Sequence, residues 1–229
     1  MKTIGLLGGM SWESTQSYYR LINQNVRQRL GGLHSASIIL NSLDFASVES
    51  FQRQGDWEGA AELLVAAALR VQRGGADCLL ICTNTMHKVA DAVEAALDIP
   101  LLHIADATAT ELKGRGIDRV GLLGTAFTME QAFYRQRLVR RGLEVIIPDE
   151  DDRQTIHQVI YQELCQGQIV DSSRQEYLRI IQQLTKQGAQ AVILGCTEIG
   201  LLVSQNDTEV PLLDTTVIHA HNAVQWALT

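Results

Sequence analysis

No apolar run in this chain of 229 residues approaches the roughly 20 that a membrane-spanning helix needs, so no bilayer partner is expected. There is no basic cluster either. The chain has 19 Lys and Arg against 26 Asp and Glu, a net charge of −7, which argues against nucleic acid and acidic membrane surfaces. The same balance disfavours an anionic substrate at long range, although screening over about 10 Å leaves local donors to decide. No signal-peptide cleavage pattern follows the opening MKTIGLLGGMSWES, which reads as a first buried strand of a cytoplasmic protein. The four cysteines, Cys78, Cys82, Cys165 and Cys196, show no CxxC spacing, so free thiols are expected and neither a zinc site nor a disulfide framework. Six histidines are scattered along the chain; only His219 and His221 are close, and two apart on a helix they diverge. No metal is expected. "GLLGGMS" lacks the G-x-G-x-x-G spacing of a dinucleotide site, and no lysine stands in a motif suited to a Schiff base. The chemistry is therefore expected to come from side chains, without nicotinamide, flavin, pyridoxal phosphate or another cofactor.

What is present is an alternation. With 46% hydrophobic and 20% charged residues, the chain is long enough for a sizeable core. Leu-rich or β-branched runs (3–9, 36–44, 77–82, and a strand beginning at "IPLLHIAD") alternate with helical patterns at 11–30, 57–76 and 85–97. Continuous apolar strands separated by helices predict parallel sheets covered on both faces.

The alternation also repeats. "IGLLGG" (4–9) matches "VGLLGT" (120–125), and each precedes a helix with a tyrosine-arginine pair, "SYYRLI" and "AFYRQRL". "GADCLLICTNT" (75–85) matches "GAQAVILGCTE" (188–198), and "IPLLH" (99–103) matches "VPLLD" (210–214). The offsets of 116, 113 and 111 residues keep one order at nearly constant spacing, which signals two copies of one unit. The expected fold is α/β: two similar Rossmann-like parallel-sheet domains related by pseudo-twofold symmetry, with the active site in the cleft between them. The expected boundaries are 1–98 plus 215–229 for the first domain and 99–214 for the second.

Aligning Gly75-Ala76 with Gly188-Ala189 sets Cys82 opposite Gly195 and Thr83 opposite Cys196. Cys82, one residue back on an alternating strand, should point to the other face and be structural. Asn84, Thr85 and Thr197 add small donors at strand-to-helix turns, where backbone N–H groups suit a carboxylate. The same positive ends would favour a thiolate at Cys196. A thiolate beside a carbon whose carboxylate is held by such donors can take its proton, and the donors stabilise the charge that results. With a second acid on the opposite face, that is racemisation.

Over nearly its full length the sequence resembles the cofactor-independent aspartate/glutamate racemase family. The resemblance is carried by "GLLGGMSWEST", the "NT" of "CTNTMHK", "LLGTAFTME", "LGCTEIGLL" and "DTTVIHA". It implies two similar domains with one cysteine from each half facing the α-carbon, and a homodimer. The family's first cysteine stands immediately before Asn-Thr, where this chain has Thr83. The resemblance therefore implies that Cys196 takes the proton of the L-amino acid, while Thr83, a far weaker base, serves the D side. The expectation is a lopsided racemase of L-aspartate or L-glutamate.

Other residues admit two readings. Cys196 is either this base or a small buried hydrophobe. Met10 and Ser11 are placed close to the ligand by the glycine turn, as the resemblance also implies. Thr125 and Thr128 are substrate contacts or helix N-caps. Glu198 orients donors or fixes a helix start. Gln52 and Arg53, assigned to a loop at 50–57, are candidates for the substrate's side-chain carboxylate, which a bidentate arginine would fit. Family members often place a basic residue near "YQELCQG"; none is present there. His219 packs the terminal helix, Cys78 lies in a strand and Cys165 in a helix. The competing functions are a decarboxylase, isomerase or hydantoin racemase of the same superfamily, and an acidic-amino-acid-binding protein without turnover.

Overall fold

The apolar runs pair as two parallel sheets in the computed structural model, which describes residues 1–229. Contacts divide the chain into two units: Met1–Ile104 with His219–Thr229, and Ala105–Ile218.

In the first unit β1 (Ile4–Gly8) lies between β2 (Ile38–Ser42) and β3 (Cys78–Ile81). Alternation sorts their side chains. Leu7, Leu79 and Ile81 pack with Leu64, Ala67, Ala68 and Val71 of α3 (Trp57–Arg73). Ile4, Leu6, Cys78, Leu80 and Cys82 pack with Tyr18, Ile22 and Val26 of α1 (Trp12–Leu30) and with Ala220, Ala223 and Val224 of the terminal helix. Cys82 is therefore core, as its register predicts. Between β1 and α1 the chain turns at Gly9, whose φ is +87°, and a Cβ there would collide with the backbone of Leu43.

In the second unit β4 (Arg119–Gly124) lies between β5 (Glu144–Ile146) and β6 (Ala191–Gly195), with β7 (Leu212–Asp214) beyond β6. The repeat is visible as hydrogen-bond register. Ile4 pairs with Cys78 and Leu7 with Ile81; Val120 pairs with Ala191 and Leu123 with Leu194. Leu79 bridges Leu101 as Val192 pairs Leu212. Each pair in one unit maps onto its counterpart by the offsets read from sequence. Thr83 and Cys196 thus follow equivalent strands at equivalent positions.

The closing helices are exchanged between the copies. Numbering helices onward, α2 is Phe45–Gln54, α4 Ala90–Ala95, α5 Ile104–Gly114, α6 Ala126–Glu130, α7 Ala132–Arg140 and α8 Glu150–Gln162. They are followed by α9 (Asp171–Lys186), α10 (Ile199–Leu202) and α11 (Thr215–Leu228). α5 follows the Leu101 bridge of the first unit but belongs, from Ala105, to the second; α11 follows β7 of the second unit but belongs, from His219, to the first. Buried Tyr18 meets His219, and buried Tyr134 meets Thr108, the residue equivalent to His219 by the 111-residue offset. The unit boundaries therefore fall at 104/105 and 218/219, a few residues beyond 98/99 and 214/215, because Leu101 still pairs with β3.

Several local expectations are corrected. The segment 50–57 is not a loop: Asp44 caps α2, which carries Gln52 and Arg53. The helix expected at 85–97 is a 3-10 turn (Thr85–Val89) followed by α4. The strand expected at "IPLLHIAD" is reduced to one bridge, and α5 begins at Ile104. Cys165 lies in a 3-10 turn, Leu164–Gln166.

His219 is fully buried, with Nε2 2.7 Å from the Leu102 carbonyl and Nδ1 2.8 Å from the Tyr18 hydroxyl. Nε2–H donates to the carbonyl and Nδ1 accepts from the tyrosine, so the imidazole is neutral. Burial brings its pKa down from 6.5 to about 4. A depressed imidazole gives a folded state that is fully stable above about pH 6.5 and loses stability as pH falls toward 4, by about 3 kcal/mol. Urea denaturation at pH 7.5 and 4.5 should show that loss, and His219→Gln, which takes up no proton, should flatten it. Equal pH slopes in the two proteins would contradict the assignment.

Candidate active site

Both units present turns at the carboxyl ends of neighbouring strands, where open α/β sheets bind ligands. In the first unit these turns are Gly9-Met10-Ser11 after β1 and Thr83-Asn84-Thr85 after β3, all buried. Local hydrogen bonds fix them. Ser11 caps α1, accepting from Ser14 N at 3.3 Å. Thr15 Oγ1 accepts from Gly9 N (2.7 Å) and donates to the Ser11 carbonyl (2.9 Å). Ser14 Oγ donates to the Cys82 carbonyl at 2.8 Å, tying the α1 start to the end of β3. His87 Nδ1 lies 2.7 Å from the Thr83 carbonyl. Gln52 is buried and donates to Met86 Sδ at 3.0 Å, which brings α2 against this turn. Arg53 is brought to no such place: its side chain is 68% exposed, and Nε lies 3.4 Å from Glu49.

In the second unit the corresponding turns are Thr125–Thr128 after β4 and Cys196-Thr197-Glu198 after β6. Thr125 Oγ1 accepts from Thr128 N at 3.3 Å, so Thr125 is the N-cap of α6. Thr128 is fully buried, and its side chain packs against Gly124 and Gly195. Glu198 precedes α10 but makes no side-chain cap. Its Oε2 instead accepts from Cys196 Sγ at 3.0 Å and from Thr197 Oγ1 at 2.7 Å. Of the two sequence readings of Glu198, the geometry favours the one in which it orients donors.

This carboxylate reverses an electrostatic expectation. Cys196 was expected to be biased toward thiolate by a following helix. α10 has only four residues, and burial first, then the negative charge of Glu198, pushes the thiol well above its usual value. The resting group is a thiol hydrogen-bonded to a carboxylate. Burial raises Cys82 as well, and holds Cys78 up at about 12.

Sequence reasoning missed residues that support these turns. His157 Nδ1 accepts from Ala126 N at 3.2 Å, beside the rings of Phe127 and Tyr161. Tyr177 is buried near Cys196 and donates to the Ile156 carbonyl at 3.1 Å. His87 had a visible signal, four residues beyond Thr83 in the same motif; His157 and Tyr177 had none. No group of three or more His, Cys, Asp or Glu side chains is placed to hold a metal ion, and no helix is long and apolar enough to cross a membrane.

Comparison with known proteins agrees with these features. A family model described as Asp/Glu/Hydantoin racemase matches residues 7–223. The structure of a candidate Asp/Glu racemase from Yersinia pestis is 57% identical, with TM-score 0.93 and full coverage of both chains. That of an aspartate racemase homologue from Pyrococcus horikoshii OT3 is 33% identical, with TM-score 0.87 and full coverage of both chains. The broad specificity amino-acid racemase RacX of Bacillus subtilis (strain 168) is 24% identical over 98% of each chain. A glutamate racemase from Francisella tularensis, in complex with D-glutamate, and an arylmalonate decarboxylase mutant share the fold at 16% and 14% identity, with TM-scores 0.67 and 0.58. The chain belongs to the Asp/Glu/hydantoin racemase family.

Proposed function

We propose that the protein is a cofactor-independent racemase of L-aspartate or L-glutamate in which Cys196 takes the α-proton on one face and Thr83 serves the other. The observation that carries this reading is the strand register, which sets Thr83 and Cys196 at equivalent positions of the two units. The acidic substrate class rests on what the relatives at 57% and 33% identity are named for. The reading requires both turns to address one α-carbon. It carries with it a homodimer and a cytoplasmic setting, which sedimentation and cell fractionation test.

Chemically, the Cys196 thiol passes its proton to Glu198, and the thiolate then removes the α-proton of the L-amino acid. The bound substrate's ammonium offsets the negative charge formed on sulfur. Hydroxyls and amides of the Ser11, Asn84–Thr85, Thr125–Thr128 and Thr197 turns stabilise the charge on the substrate carboxylate. Delivery of a proton from Thr83, directly or through water, completes inversion; the Thr83 side regains a proton from solvent as Cys196 and Glu198 together release one, which restores the starting state.

The thermodynamics constrain what this asymmetry can do. Racemisation has an equilibrium constant of one, so kcat/KM is equal in the two directions whatever the bases. Asymmetry shows in α-proton exchange: a carbanion reprotonated by Cys196, after its thiol has traded the proton for solvent deuterium, returns labelled L-substrate without inversion. In D2O, exchange from the L-enantiomer should outpace racemisation by about tenfold or more, while exchange from the D-enantiomer keeps pace with racemisation. The assay uses both enantiomers of aspartate and glutamate, with neutral amino acids included and no cofactor added. Equal exchange from both enantiomers removes the asymmetry. No exchange from any of them removes the enzyme and leaves an amino-acid-binding protein.

Glu198→Gln has two opposed expected effects. Removing the neighbouring charge lowers the Cys196 pKa measured by alkylation against pH. Loss of the proton acceptor lowers exchange from the L-substrate by about tenfold. A rise in exchange would exclude the relay.

A further inference from the structure

We infer that His87 is a positioning residue: by holding the Thr83 carbonyl, it sets how often the carbanion is protonated on the Thr83 side. The inference rests on the proposed racemase reading. His87 is buried, and both ring nitrogens meet backbone groups: Nδ1 lies 2.7 Å from the Thr83 carbonyl, and Nε2 lies 3.3 Å from Ile104 N. A carbonyl only accepts and a backbone N–H only donates, so Nδ1 carries the proton and Nε2 is the acceptor. The imidazole is a neutral bridge from the Thr83 turn to the start of α5.

The ring is also held from its sides. His103 lies edge-on at 4.4 Å between centroids, and His219 lies at 5.9 Å. His219 is itself pinned by Tyr18 and Leu102. Thr83, two residues beyond β3, thus has its backbone anchored by a buried ring rather than by a helix ladder, since the residues that follow form a 3-10 turn. Asn84 opens that turn without a side-chain cap. The bond from His87 supports the Thr83 carbonyl, and a shift there moves the threonine hydroxyl relative to anything bound at the turn.

The readout follows from the branch point. Once Cys196 has removed the α-proton of the L-substrate, one carbanion either regains a proton from sulfur or receives one from the Thr83 side. The ratio of racemisation to L-exchange is blind to the amount of folded enzyme and to substrate affinity, because both outcomes share the same intermediate. A residue that merely stabilises the fold lowers both rates together and leaves the ratio unchanged.

The test compares two amide substitutions in D2O, with deuterium incorporation and chiral product analysis on the same samples. Asn overlays Nδ1 of the imidazole, so His87→Asn keeps the donor to Thr83. Gln overlays Nε2, so His87→Gln keeps the Ile104 contact and loses the donor. The expected result is a ratio within about twofold of wild type for His87→Asn and at least fivefold lower for His87→Gln. A wild-type ratio in both variants overturns the inference. If wild type exchanges no α-proton, the racemase reading itself fails, which is a separate outcome. Where neither variant folds, imidazole 15N shifts of the wild-type protein decide: a persistent Nδ1–H tautomer at His87 supports the bridge, and an Nε2–H tautomer overturns it.

Discussion

Cys196→Ser is expected to lower α-proton exchange from the L-enantiomer by at least about 10^3-fold, and racemisation with it. The alcohol is slightly smaller but keeps a hydrogen bond to Glu198, now as O–H donor near the place where Sγ stands 3.0 Å from Oε2. What it lacks is acidity: moving its proton to the carboxylate is far more costly than moving that of a thiol with an ordinary pKa near 8.5. Cys82→Ser is the control. Cys82 lies in the apolar layer with Ile4, Leu80 and Ala220, so its hydroxyl would be buried without purpose. Stability should fall by about 1–3 kcal/mol, with exchange per folded molecule unchanged. If Cys82→Ser silenced exchange and Cys196→Ser did not, the assignment of the base would be reversed.

Thr83→Cys is expected to raise exchange from the D-enantiomer, and racemisation in both directions, by about tenfold or more, closing the gap to the rate of L-exchange. The reasoning is one of symmetry made quantitative. The register that equates Leu7–Ile81 with Leu123–Leu194 places position 83 where its counterpart carries sulfur. A thiol restored there provides the second base at a position the backbone already supports through His87 and Ser14. L-exchange should change little, because the proposed mechanism leaves that step with Cys196. Deuterium incorporation from each enantiomer measures all of these rates. A D-side rate that stays at the wild-type value would show that position 83 does not face the α-carbon.

These expectations were largely legible in the sequence, for a physical reason. Register in a parallel sheet buried on both faces is set by continuous apolar runs, and such runs survive as recognisable matches between the two copies. IGLLGG against VGLLGT, and CLLICTNT against AVILGCTE, therefore predicted pairs that the sheets contain. The glycine turn, the structural role of Cys82 and the packing role of His219 followed from the same patterning.

What was not legible depended on partners remote in sequence. Asp44 converts the polar stretch around Gln52 and Arg53 into a helix by capping, and that helix turns Gln52 inward and Arg53 outward. The state of the Cys196 thiol depends on a helix length that the sequence does not mark: with only four residues in α10, burial and Glu198 outweigh any dipole. His157 and Tyr177 carry no motif, and each reaches its turn only through tertiary packing.

The exchange of closing helices has a consequence for ancestry and engineering. A half-length polypeptide carrying one copy would end in a helix built for its neighbour's sheet, while its own apolar layer (Tyr18, Ile22 and Val26 in the first copy) stayed bare. Two such halves could complete themselves only by trading those helices, as partners do in a swapped pair. Fusing the copies into one polypeptide turns that trade into an internal matter, and it frees each copy's sequence to diverge, as threonine and cysteine have at the two equivalent turns.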